Sequence, residues 1–192
     1  MIWFIIPVVI NLCSFGSCFG AQRSGEDDLE FFGPSAKCSV SDHDLSDLES
    51  ILNDTTDRID LPQIDPNLIE GSGQEGFLAL LPQLYKGDAS AFGEVICGIE
   101  SGAISSGSIS FKEIELKHSI IFTAAHVFIQ ARYERLKIRD LATSKKALWW
   151  DSNFQFGLSQ LQFCYVFGLG TKVNNKAKEI LENYQIPEGL SD

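Results

Sequence analysis

The chain has 192 residues, 44% of them hydrophobic and 21% charged, with a net charge of −11. That length allows one domain of moderate size with a packed core. The acidity is local: residues 22–75 hold 14 Asp/Glu against 3 Lys/Arg, whereas residues 76–192 hold 12 of each. No basic stripe exists to neutralise phosphates, which excludes nucleic acid from the expected partners.

Residues 1–20 read as a secretory signal peptide. The apolar run Ile2-Trp3-Phe4-Ile5-Ile6-Pro7-Val8-Val9-Ile10 precedes small residues at Ser14, Gly16, Ser17 and Gly20. Cleavage after Gly20 puts Cys18 and Gly20 at the two small-residue positions. A membrane anchor and a lipoprotein reading built on Cys18 are the alternatives, although Pro7 and Asn11 interrupt a run already short for a span. Nothing later is apolar for long enough to cross a bilayer. The expected product is secreted, periplasmic or extracellular, with no integral membrane segment after signal removal. Export leaves Cys38, Cys97 and Cys164, enough for one bridge and one spare thiol. Cys97–Cys164 is the expected pair, because both lie in strand-like segments. The cysteine spacing resembles no zinc motif and no phosphate-binding glycine loop occurs, so no metal or cofactor is expected.

Residues 21–87 read as an acidic pro-segment or extension, rich in Asp, Glu, Ser and Pro, and partly disordered. One short helix is predicted within it: Leu45, Leu48, Ile51 and Leu52 share a face, with Ser41 as a cap. From Phe92 onward the pattern predicts strands at 92–99, 107–111, 119–122, 154–158 and 161–167, where apolar residues run together or alternate with polar ones. Ala177, Ile180, Leu181 and Tyr184 follow helical spacing and predict a brief helix near 175–185.

The stretch that suggests chemistry is Ile120-Ile121-Phe122-Thr123-Ala124-Ala125-His126-Val127-Phe128. Read as a short apolar strand running into Thr-Ala-Ala-His, it places His126 at a strand end facing a cleft. Histidine is suited to accept and return a proton near neutral pH. The tetrapeptide arises by chance in about one of several hundred chains this long.

These residues resemble the trypsin-like serine protease family, whose catalytic histidine sits in such a Thr/Ser-Ala-Ala-His segment. Val127 stands where animal trypsins carry a cysteine, as in the bacterial, glutamyl-endopeptidase-like branch. Gly93-Glu94-Val95-Ile96-Cys97 resembles the first barrel strand and Ser105-Ser106-Gly107-Ser108-Ile109-Ser110 the second. The resemblance implies a mainly β fold: the first β-barrel of a two-barrel protease over residues 88–192, with the second barrel absent. It implies proteolysis of peptide or protein substrates through a His-Asp-Ser triad, with His126 as general base.

The other triad members are harder to place. Asp192 is preferred as the orienting carboxylate, with Asp151 as its rival and Asp140 close to the histidine in sequence. No Gly-Asp-Ser-Gly turn occurs, and Ser159 lacks the flanking glycines of an oxyanion hole. The chain is therefore expected to be inactive alone. A non-catalytic secreted interaction module, or a degenerate protease homologue, is the competing expectation. His43, the Glu115/His118 pair and Trp149-Trp150 read as surface or packing residues.

Overall fold

A computed structural model describes residues 45–137 and 147–186. The described residues form α1 (Leu45–Asn53), β1 (Ile69–Glu70), α2 (Gln74–Leu84), α3 (Ala89–Ser101), β2 (Ala103–Ile104), β3 (Gly107–Ser108), β4 (Ser110–Phe111), α4 (Ile114–Leu136), α5 (Ser152–Phe167) and α6 (Asn175–Glu182), and residues 147–150 are also helical. β1 pairs antiparallel with β4, Ile69 opposite Phe111, and β2 pairs antiparallel with β3, Ala103 opposite Ser108. Each strand is two residues long.

The expected mainly β fold is corrected by this architecture. There is no barrel among the described residues, and the family resemblance to trypsin-like proteases falls with it. The segment taken for a first barrel strand, 92–99, is the interior of α3. The strand proposed at 119–122 is part of α4, and those at 154–158 and 161–167 form a single helix, α5. Only 107–111 contains extended pairs. The two helices expected from 3.6-residue spacing are present: α1 buries Leu45, Leu48, Ile51 and Leu52, and α6 buries Ala177 and Leu181.

Local chemistry sets the helix ends. The Asp88 side chain accepts from Ala91 N at 2.8 Å and opens α3. Gly102, at φ 74°, closes it in the left-handed conformation that glycine tolerates. Asp151 accepts from Asn153 N and Phe154 N to open α5, and Asn174 accepts from Ala177 N to open α6.

α4 organises the rest. Every residue from Ile120 to Ile129 is buried. A helix covered on all sides needs partners on all sides, and α4 packs against α5, α3, α2 and α1. The rings of Phe92 and Phe128 stack at 4.1 Å, and Phe156 meets Phe92 edge-on at 5.4 Å, joining α3, α4 and α5. At the α4–α5 crossing sits Gly157, where a Cβ would lie 2.9 Å from both Ile129 Cγ1 and Phe128 Cδ1. The close approach of these helices depends on that missing methyl group.

Cys164 is a buried free thiol on α5, so the expected Cys97–Cys164 bridge is not formed. Burial pushes its thiol up to about 12. No helix among the described residues is long and apolar enough to cross a membrane. The leader, Cys38, Ser41 and His43 lie outside the described residues.

Candidate functional site

His126 lies in the middle of α4, fully buried, with its ring in the core. The expected setting, a ring at the rim of a β-barrel facing a groove, is not what the fold provides. Nε2 of His126 is 3.1 Å from the carbonyl oxygen of Ile51. That carbonyl belongs to the last turn of α1, where intrahelical donors run out. A carbonyl accepts only, so Nε2 carries the proton and donates. Nδ1 is then the unprotonated nitrogen, and it has no partner among the described residues. Burial brings the His126 pKa down to about 4, with Arg58 acting in the same direction; the bond to Ile51 and the charge of Asp54 oppose them. The imidazole is neutral at pH 7 and poorly placed to take up a proton.

One helical turn earlier, Thr123 Oγ1 accepts from the backbone N–H of Ile59 at 3.2 Å. Thr123 and His126 thus lie on the same face of α4 and hold the two ends of segment 51–59. Ala124 and Ala125 are fully buried and let the neighbouring chain come close. Thr-Ala-Ala-His is here a fastening for α1 and the loop after it.

The carboxylates considered as orienters are not brought to His126 by any observed contact. Asp140 and Asp192 lie outside the described residues. Asp151 caps α5 and forms an ion pair with Arg132. Ser159 is exposed, and its hydroxyl donates to Gln155 O at 3.0 Å. Glu115 and His118 do lie one turn apart on α4, contrary to the strand or loop expected there. No group of three or more His, Cys, Asp or Glu that could hold a metal occurs among the described residues.

Two clefts occur among the described residues: an apolar one of about 460 Å³ lined by Pro62, Leu78, Leu81, Pro82 and Tyr85, and one of about 320 Å³ with polar and charged walls between the loop after α1 and the turn before α6. Asp54, Thr56 and Asp57 form one wall, and Thr171, Lys172, Val173 and Asn174 the other. Phe122 of α4 and Tyr165 of α5 make the floor, their rings edge-to-face at 5.6 Å. Phe122 also touches the His126 ring at 5.8 Å, so the floor continues into the core. Thr171 Oγ1 donates to Asp57 Oδ2 at 2.7 Å and joins the two walls. Bonds from the Thr56 hydroxyl and amide hold the Asp54 carboxyl below the usual range, so it is charged at neutral pH. The Tyr165 side chain is 6% exposed. Its hydroxyl makes no hydrogen bond among the described residues, and its pKa is pushed up to about 12 by burial and by Asp54 and Asp57.

None of these cleft residues stood out in the sequence. Asp54 and Asp57 lie in the stretch that reads as an acidic pro-segment or extension, and Tyr165 in the stretch 161–167 that reads as a strand. The two walls are 114 residues apart at the Thr171–Asp57 bond, so no local spacing links them. The available signal was modest: Gly168 and Gly170, both at positive φ, bracket a tight turn, and Asn174 precedes a helical pattern.

No family model, curated protein or solved structure matches the chain.

Proposed function

We propose that this chain is a non-catalytic, secreted interaction module that holds part of a peptide or protein partner in the cleft between residues 54–57 and 171–174. The supporting observation is the cleft itself: charged and polar walls above an aromatic floor, in the size range of a pocket for a side chain or small group. The endopeptidase expectation rested on a barrel-rim histidine, and that support is gone. The leader-like residues 1–20 support an exported product.

A selection from a random peptide library displayed on phage tests the module reading. Wild-type chain is compared with Val173→Trp, which places a bulky ring at an exposed cleft residue. Peptides enriched on the wild type and lost on the variant are the expected result. No enrichment, or enrichment indifferent to Val173→Trp, contradicts the reading.

A further inference from the structure

Resting on the module reading, we infer that the cleft receives a cationic side chain of the partner, an ammonium or guanidinium group carried on a hydrocarbon stem. Three features converge on that chemistry. The first is charge: Asp54 and Asp57 line the cleft against Lys172 alone. Asp57 uses Oδ2 for Thr171 and leaves Oδ1 without a hydrogen bond among the described residues. The second is the floor. Phe122 and Tyr165 line it, and aromatic rings attract a cation through their quadrupole and pack on a methylene stem. The third is Tyr165, a residue only 6% exposed that lines the cleft together with the two carboxylates and whose hydroxyl makes no hydrogen bond among the described residues. A ligand N–H entering the cleft gives that hydroxyl oxygen a donor to accept from.

Competing ligands fit less well. An anion meets two carboxylates and one exposed lysine. A bare calcium ion needs six to eight oxygens, whereas the floor here is aromatic and no cluster of three acidic or metal-ligating residues occurs among the described residues. The overall charge of −11 also favours the approach of a basic partner. Lys172, exposed and part of the lining, opposes such a ligand as a like charge.

The test is a titration of ¹⁵N-labelled full chain with n-butylammonium chloride at constant ionic strength, read by amide chemical shifts. Parallel titrations use n-butanol, the neutral analogue, and calcium chloride. Saturable shifts confined to 54–57, 171–174 and their neighbours are expected with n-butylammonium only. Asp57→Asn, which keeps an acceptor for Thr171, and Tyr165→Phe should each weaken binding several-fold. Lys172→Ala should strengthen it. The amide spectrum of each variant reports whether it is folded. Absence of saturation, an equal response to n-butanol, or a response to calcium alone would overturn the inference. Peptides that depend on the cleft but lack Lys and Arg would also overturn it while leaving the module reading intact; an absence of any cleft-dependent peptide removes both.

Discussion

The Nε2 of His126 and the carbonyl oxygen of Ile51, 75 residues apart in sequence, meet at 3.1 Å inside the core. The bond ties the end of α1 to the middle of α4 and places a titratable ring where its charged form is disfavoured.

Stability should therefore fall on acidification, in a window fixed by this ring. The folded pKa of about 4 lies below the ordinary value of 6.5. Between those values the unfolded chain takes up a proton that the native chain does not. Native stability is fully present above about pH 6.5, declines as pH falls, and levels off once the folded ring also protonates. A displacement of this size is worth about 3 kcal/mol. Urea unfolding at pH 7 and pH 4 should show the wild type losing about that much more than His126→Gln, which has nothing to titrate at the site. Parallel losses in both proteins would contradict this.

Asp151 should be among the most sensitive charged positions. Its side chain caps α5 through Asn153 N and Phe154 N and pairs with Arg132, with only 8% and 20% of the two side chains exposed. Asp151→Ala removes the cap and leaves a largely buried guanidinium unpaired, a loss of about 2–4 kcal/mol. Asp151→Asn keeps the cap acceptor and should cost less. Denaturant midpoints of the two variants rank them.

Gly157→Ala should destabilise the chain although it adds only one methyl group and raises helix propensity. The new Cβ would collide with Ile129 and Phe128 at 2.9 Å. Helices that cannot approach must shift, which costs about 1–3 kcal/mol. A neutral or raised melting temperature would mean that the α4–α5 crossing is looser than described.

Cys164 should resist alkylation by iodoacetamide in the native state and react once the chain is unfolded. It is fully buried, with a thiol pushed up to about 12, and the thiolate is the reactive form. Mass spectrometry of the peptide containing it, with and without urea, provides the readout.

The sequence revealed its amphipathic helices and concealed its buried ones. α1 and α6 each have one apolar face, and the spacing of Leu45, Leu48, Ile51 and Leu52, or of Ala177, Ile180 and Leu181, marks them. The central helix is buried all round from Ile120 to Ile129, so its apolar residues form a run with no period. A short run of that kind is indistinguishable from a buried strand by pattern alone. In α5 the exposed Phe163 and Phe167 lie on the outer side while Leu161 and Tyr165 face inward, so a helix with apolar residues on both sides imitates strand alternation. Punctuation held the better clue. No Gly or Pro occurs between Gly107 and Gly157, whereas a barrel of short strands needs turns at frequent intervals. The histidine motif misled for a related reason. Buried Thr and His on one helical face serve to bond backbone groups of a neighbouring segment, and four residues do not distinguish that task from catalysis.

The most direct test of this account is the protonation of His126 itself, followed by ¹⁵N chemical shifts of its ring from pH 7.5 to pH 4. A core imidazole bonded to Ile51 O predicts a neutral ring with the proton on Nε2, unchanged until the pH approaches 4. A ring that titrates near 6.5, or that carries its proton on Nδ1 at neutral pH, would contradict it.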